Sequence, residues 1–494
     1  MWLFTEHEII AATGGIRIGA VTPGNDDMLV VDSVSTDTRT IEPGALFVAL
    51  TGERFDGHAF CQTAFEKDAS ILLVSDEHTL PEGAAGILVP DTLLALQVLA
   101  CAYRRKLGCK VIAVTGSVGK TSTREMLYAA LSHSLKTHAT KHNLNNEIGL
   151  PLTILSAPID TELLIVEMGM RLRGEIHTLT HIAEPDIAVI TNVGVSHIER
   201  LGSQEEILLA KMEICDGLSG GKILLINGDD TLLADYVQKE ENKKWNQLGM
   251  TSLDMSSENL LFADQTAAAH SLHTYENGTG FLCSFRTSAD DAFSDIGEFV
   301  LPCVGVHHVK NALFSIACAQ NLGIPMENVK KGLMLYKPAG SRGRMVRTAH
   351  YLIYDDAYNA SPESMAAAFE SVRLLGKDRR KIAAVGGILE LGSYSSEQHY
   401  KVGQAAANSE MDLLFVCGDN REDVKAGALS VRPDLPVYLF AQRDELTQNL
   451  LTALQKGDII LIKASHAFEM QNVTQAIIEF DHSFSSASEE SELV

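Results

Sequence analysis

The strongest constraint on this chain is a series of short, wholly apolar runs separated by stretches long enough for helices. VIAVT (111–115), ELLIVEM (162–168), DIAVIT (186–191) and KILLI (222–226) form one block, and YLIYD (351–355), KIAAV (381–385), DLLFV (412–416) and DIILI (458–462) a second. A strand with one wet face alternates polar with apolar residues. Runs that are apolar throughout suit strands covered on both faces, which implies parallel sheets in α/β units. The first hundred residues differ, with polar, turn-rich segments such as TPGNDD and TGERFDGH and fewer clean βα repeats. Residues 251–300 are Ser/Asp-rich, and HTYENGTGFLCSF reads as a hairpin turning at Asn277-Gly278. Lys337-Pro338-Ala339-Gly340 reads as a hinge and SFSSASEESELV as a frayed tail. At about 150 residues per domain, 494 residues give three α/β domains, cut near 91 and 335. They span 1–91, 92–335 with a small β subregion, and 336–494.

Composition removes several function classes. The 40 Lys+Arg against 64 Asp+Glu leave a net charge of −24, whereas a non-specific nucleic-acid binder should be basic. Phosphate ligands stay open, because they need only a local cradle. No apolar run approaches the roughly 18 residues of a membrane span, and MWLFTEHEII lacks the basic start of a signal peptide. The 8 cysteines are scattered without a CxxC pair, as expected of reduced packing thiols in a cytoplasmic protein.

The sharpest motif is VIAVTGSVGKTSTREMLYAAL. A β-run ends at Thr115, a glycine-containing turn follows, and a helix is expected from about Thr121, with Leu127, Ala130, Leu131 and Leu135 as its apolar stripe. Gly116 and Gly119 let the backbone curl so that N–H groups, with Ser117, Val118 and Ser122 around them, converge on phosphate oxygens at a helix N-terminus. Lys120 is placed to reach β- and γ-phosphates, and the Thr121 hydroxyl to hold Mg²⁺. The usual spacing wants a further glycine where this chain has Val114, so the motif is a GxxGKT variant. A chance Lys-Thr after a glycine turn is the poorer reading, since strand, turn and helix are in register.

Glu167 closes the ELLIVEM strand at the edge where α/β ligands bind. Alone it reads as a surface carboxylate. Asn192 and His197 follow the next strand on a loop at that edge, and beside a triphosphate cradle His197 becomes a Mg²⁺ or phosphate partner. Ser203 and Glu206 form an S-x-x-E box opening a helix through about Leu218. On it Lys211 lies roughly 40° from Ile207, inside the apolar stripe. Two readings are nearly balanced: a snorkelling lysine, or a desolvated neutral amine able to capture CO₂ as a carbamate.

Together these segments resemble the Mur ligase family, the ATP-dependent amide-forming enzymes of peptidoglycan precursor synthesis. The resemblance rests on TGSVGKTS (115–122), Glu167-Met168-Gly169, NVGVSHIERLGS (192–203) and AKMEI (210–214), and it covers the whole chain in order. TKHNLNNEIGLPLT (140–153), DDAYNASPESM (355–365) and STDTRTIEPGALFVALTGERFDGHAF (35–60) place it nearest the branch that adds D-alanyl-D-alanine to a UDP-N-acetylmuramoyl-tripeptide. A DNPR-like motif of the diamino-acid-adding relatives is absent from the sequence.

The resemblance implies an N-terminal UDP-substrate domain, a central P-loop ATPase-like domain and a C-terminal Rossmann-like ligase domain. It implies that Gly116 to Ser122 hold ATP phosphates and that Thr121 and Glu167 bind Mg²⁺. Glu167, His197 and an N6-carboxylated Lys211 would organise a second Mg²⁺, which tips the Lys211 balance towards the carbamate. Asn311 would meet the base side of the nucleotide, and Arg344, Asp356, Tyr358 and Asn359 would close on ATP. Thr38 and Arg39 would lie at the UDP end of the substrate, with Asn143, Asn145 and Asn146 near its path. A monomeric, cytoplasmic bacterial enzyme is expected. The chain departs from the family pattern at His142 (usually Gly), His308 (Asn), Ser361 (Asn), Gly387 (Asp) and KASH (463–466, a KGSR-like run). A folylpolyglutamate-type or other Mur-type ligase is the nearest alternative. A nucleotide-dependent switch is the alternative of another class, although no N-K-x-D guanine reader is present.

Overall fold

The structure, a computed structural model, describes residues 3–20, 29–52, 55–218, 222–239, 242–275 and 278–491, with backbone alone over 484–491. Every apolar run named above is a strand. In the central sheet Thr137–Ala139, Leu163–Glu167, Lys110–Thr115, Ile187–Ile190, Ile223–Asn227 and Gln247–Ser252 are neighbours in that order, all parallel. Gln265–Tyr275 joins them in parallel, and Gly278–Arg286 and Ser294–Leu301 extend the sheet antiparallel to nine strands. The expected β subregion is thus a continuation of the main sheet. Of the turn expected at Asn277-Gly278, Asn277 lies outside the described residues, as does TPGNDD (22–27), while Gly278 is a strand residue paired with Tyr275.

The two-sided apolar pattern has a direct physical cause. Successive strand residues face opposite ways. Ile112, Val114, Ile165 and Val189 pack with Leu127, Ala130 and Leu313 of the helices Lys120–Leu131 and Val306–Asn321. Val111, Ala113, Val166 and Ile190 pack on the other face with Leu99, Ile154, Ile176 and Leu179 of the helices Thr92–Leu107, Gly149–Leu155 and Glu175–Ala183. The six-stranded C-terminal sheet repeats the arrangement, its Ile382, Phe415 and Ile460 facing one layer and Ala383, Leu414 and Leu461 the other. Only its edge strand Arg344–Arg347 is antiparallel.

The N-terminal sheet departs from the impression left by composition. Val34–Ser35, Leu46–Val48, Ile71–Val74 and Ala85–Leu88 are parallel, with Ile16–Gly19 antiparallel at the edge. Strands of 2 to 4 residues are too short to print a period on the sequence. The helix Gln471–Ser491 takes in most of the tail expected to fray. All eight cysteines are free. Among the described residues no helix is long and apolar enough to cross a membrane.

The helix Thr92–Leu107 links the N-terminal sheet to the central one and is fixed at both ends. The Asp91 carboxylate accepts from the N–H groups of Leu93 and Leu94 (2.8 and 3.0 Å), and Gly108 closes the helix with φ of 62°. Arg104, Arg105 and Lys106 complement the dipole at its C-terminus. Asp91→Ala is expected to lower stability by about 1 kcal/mol, the usual value of an N-cap. Denaturant midpoints would measure this, with activity per folded molecule unchanged.

Candidate active site

The loop after strand Lys110–Thr115 is held by the neighbouring strand's exit. Thr191 Oγ1 donates to the Val118 carbonyl (2.6 Å), and Asn192 clasps Val118 through both amide atoms, at 2.9 Å each. The Ser117 N–H bonds the Asn192 carbonyl at 3.0 Å. Gly116 has φ of 149°, and a Cβ there would lie 1.9 Å from Thr191 Oγ1. Gly119 has φ of 87°, and its Cβ would lie 2.9 Å from Asn311 Oδ1. Neither position admits a side chain. Val114, where the longer motif has glycine, is a buried strand residue opposite Glu167, so the loop is simply shorter. The helix starts at Lys120, one residue earlier than expected.

Lys120 Nζ folds back on the Gly116 and Ser117 carbonyls (2.7 and 3.4 Å). Burial lowers its pKa, Glu167 opposes the shift and Arg342 adds to it. Glu167 is buried at the strand end, and every hydrogen bond to it has a definite origin. Its Oε2 accepts from Thr121 Oγ1 (2.9 Å) and Arg124 Nη1 (3.2 Å), and its Oε1 from Asn145 Nδ2 (2.9 Å). Arg124 also reaches the His142 carbonyl at 3.1 Å and the Glu125 carboxylate. His142 itself has φ of 53°, which accounts physically for a glycine in the family at that point.

These contacts test the fit of a hard cation. Two cis ligands of an octahedral Mg²⁺ with bonds of about 2.1 Å stand about 3.0 Å apart. Thr121 Oγ1 and Glu167 Oε2 are 2.9 Å apart beside the phosphate loop, so they fit one ion. Among the described residues no three His, Cys, Asp or Glu side chains gather as a metal cluster. A second ion that takes Glu167 and His197 would therefore need a third ligand of another kind. Lys211 is 1% exposed, and its pKa is driven well below the ordinary lysine value by burial and then by the charge of Lys120. Its burial rules out a side chain that snorkels to water, and a lowered pKa is the direction that carbamate formation needs. The Ser203 hydroxyl caps its helix by accepting from the Glu206 N–H at 3.2 Å. The α-helix ends at Met212 and continues as a tighter turn through Gly217, short of the expected Leu218. His197 Nδ1 lies 2.5 Å from Glu390 Oε2 of the C-terminal sheet's loop. Burial and then Lys120 lower its pKa, with Glu390 opposing.

A cavity of about 370 Å³ runs between the phosphate loop and the C-terminal block, within the size range of ligand sites. Ser117 to Ser122, Asn143, Asn145, Glu167 and Asn311 line one side, and Asp356, Tyr358 and Asn359 the other. Gly116 lies beneath the loop. Lys211 and His197 do not line this cavity, but Lys120 is close enough to perturb both. Arg344 does not line it either: its Nη2 is tied to Asp355 Oδ2 at 2.8 Å. Arg342, two residues earlier, enters instead, its guanidinium 3.5 Å from the centre of the Tyr358 ring. Asn146 does not line the cavity, and its Oδ1 accepts from the Gly149 N–H (2.9 Å) at the start of the next helix. Thr38 and Arg39 stand outside the cavity in the N-terminal unit, where Asp37 pins the exposed Arg39 guanidinium at 2.6 Å.

Several residues of the site carried no signal in the sequence. Arg124 looks like an ordinary helix cation. Lys463 lies within KASH, and its Nζ is 2.5 Å from Asp356 Oδ2, opposing the burial that raises the Asp356 pKa. Two of the three remaining departures from the family pattern are accommodated locally. Ser361 makes a reciprocal cap with Ser364 (2.8 and 3.2 Å), and a Cβ on Gly387 would come within 3.0 Å of the Phe468 ring. His308 is buried, and neither ring nitrogen has a hydrogen-bond partner.

Comparison with known proteins agrees with this arrangement. Residues 30–104 match the Mur ligase family, catalytic domain; 114–319 the Mur ligase middle domain; and 341–466 the Mur ligase, glutamate ligase domain. The UDP-N-acetylmuramoyl-tripeptide–D-alanyl-D-alanine ligase of Bacillus subtilis (strain 168) is 37% identical over 465 residues, covering 92% of this chain and 94% of that protein. The crystal structure of MurF from Acinetobacter baumannii superposes with a TM-score of 0.84 at 28% identity, covering 96% of this chain and 99% of the other. MurF ligase from Thermotoga maritima, solved with ADP, gives 0.75 at 28% identity, covering 91% and 98%. With the family matched along most of its length and its phosphate loop, strand-end carboxylate and buried lysine in one neighbourhood, the chain belongs to the Mur ligase family.

Proposed function

We propose that this chain is an ATP-dependent ligase that joins the C-terminal carboxylate of UDP-N-acetylmuramoyl-tripeptide to the amino group of D-alanyl-D-alanine, in the cytoplasm and as a monomer. The observation that carries the reading is the Thr121–Glu167 pair set against the Lys120 loop, with a buried Lys211 whose pKa Lys120 helps to lower. The relatives bearing that activity in their names match it over nearly their whole length. We assign 1–91 to the UDP end of the substrate through Thr38 and Arg39, 92–335 to ATP, and 336–494 to closing over it. Each unit is centred on one of the larger sheets.

A carboxylate does not acylate an amine at neutral pH, because its oxygen is a poor leaving group. Transfer of the γ-phosphoryl from ATP to that oxygen gives an acyl phosphate and ADP. The amine then attacks, and the adduct collapses to an amide, phosphate and a proton. In the first step two anions must approach. Lys120 is placed to neutralise the transferred group, and Asn311 sits by the loop at the nucleotide. Thr121 and Glu167 would hold one Mg²⁺, and Glu167, His197 and carbamylated Lys211 a second, whose charge stabilises the same transfer. Asn143 and Asn145 lie on the cavity wall beside Glu167, where a substrate carboxylate would enter. Arg342, Asp356, Tyr358 and Asn359 cover the opposite wall and exclude water, to which an acyl phosphate is vulnerable.

Purified protein should release phosphate only when Mg²⁺, the UDP-tripeptide and the dipeptide are present together, and mass analysis should find the joined product. Equal turnover with single amino acids would refute the dipeptide assignment. Lys211→Ala should lose turnover by about a hundredfold or more, the scale of one electrostatic contributor. Added short carboxylic acids should partly restore it by replacing the carbamate; absence of rescue refutes that role. Arg124→Met, which strands the buried Glu167 carboxylate, should cost about 3 kcal/mol in denaturation. Arg124→Lys should recover part of this, since an ammonium cannot span Glu167 and the His142 carbonyl as a guanidinium does.

A further inference from the structure

The loop carrying His197 is the place where the C-terminal block grips the central sheet. His197 Nδ1 and Glu390 Oε2 are 2.5 Å apart, although the two residues lie 193 positions apart in sequence. The Glu199 N–H bonds the Glu390 carbonyl at 3.3 Å, and the Val195 N–H bonds Glu363 Oε1 at 3.1 Å. The fit leaves little room, for a Cβ on Gly194 would lie 2.5 Å from Glu363 Oε1 and one on Gly392 3.1 Å from Glu199 Cγ. Both members of the pair have left-handed backbones, His197 at φ of 66° and Glu390 at 62°. Non-glycine residues rarely adopt that conformation, and when they do they gather at functional sites.

A pair with side chains 29% and 37% exposed adds little stability, and holding two left-handed residues offsets part of what it adds. Structural adhesion is therefore a poor account of it. The chemistry suggests another. A carboxylate only accepts, so in the neutral ring the pair fixes the hydrogen on Nδ1 and leaves the Nε2 lone pair open. That is how ligating histidines are commonly oriented for a metal. We propose that Glu390 is a positioning residue that completes His197 as a ligand only when the C-terminal block is seated, so that closure and assembly of the second cation site are one event. This rests on the reading of His197 as a cation ligand given above.

The test is Mn²⁺ binding to the full chain saturated with a non-hydrolysable ATP analogue, followed by electron paramagnetic resonance. Glu390→Gly removes the carboxylate while relieving the left-handed backbone. It should weaken the second Mn²⁺ site about tenfold or more, leave the affinity for the analogue unchanged and keep the thermal midpoint. Glu390→Gln, whose amide oxygen still accepts from Nδ1–H, should stay within about threefold of the parent, well short of that tenfold loss. His197→Ala should match Glu390→Gly, and the double variant should be no worse than either alone. Normal Mn²⁺ binding in Glu390→Gly with a loss in His197→Ala, or additive losses in the double variant, overturns the proposal. Normal binding in His197→Ala overturns the ligand reading and this inference with it.

Discussion

The site depends on a carboxylate almost wholly buried at the wall of the cavity, where its own partners supply most of its solvation. Glu167 sits at the end of a central strand, and three side chains from two segments converge on it: Thr121 and Arg124 from the loop helix, and Asn145 from the asparagine-rich loop. Removing a buried carboxylate from water is costly unless its lone pairs are filled. The same bonds that make burial tolerable fix where its oxygens point. Arg124 additionally holds the His142 carbonyl, so the phosphate loop's helix, the strand end and the asparagine loop form one rigid unit.

Lys211 follows the opposite logic. No acidic side chain among the described residues offsets its burial, and the nearby Lys120 deepens the shift. Burial of this kind disfavours the charged form of the lysine, and an uncharged amine can be converted into an anion. One buried group arrives negative and well bonded, and the other is left available for conversion. Between them lies Lys120, which perturbs Lys211 and His197 and is itself perturbed by Glu167.

Much of this was legible in the sequence because it rests on periodicity and local backbone geometry. Strands covered on both faces must be apolar throughout, and the runs at 111–115 and 381–385 could hardly be anything else. Gly116 and Gly119 announce a curled loop for steric reasons. Lys211 stood out because a charge within an apolar stripe needs an explanation. The rest depends on contacts between distant segments, which leave no local trace. Arg124 resembles any helix-surface cation until strand Leu163–Glu167 and the 140–148 loop pack over it. Glu390 lies in a loop of the other block, and Arg342 rather than Arg344 enters the cavity because a turn at Gly343, with φ of 71°, precedes the strand. The N-terminal strands were faint because two to four residues cannot display a period.

The short phosphate loop has a consequence for modularity. Since Val114 stays in its strand, the loop does not supply its own stiffness, and Thr191 and Asn192 of the adjoining strand lend it theirs. Transplanting 110–131 into another parallel sheet would move the recognisable signature without its scaffolding. A working graft would have to carry 187–194 alongside, so the heritable unit is a pair of strands and not a motif.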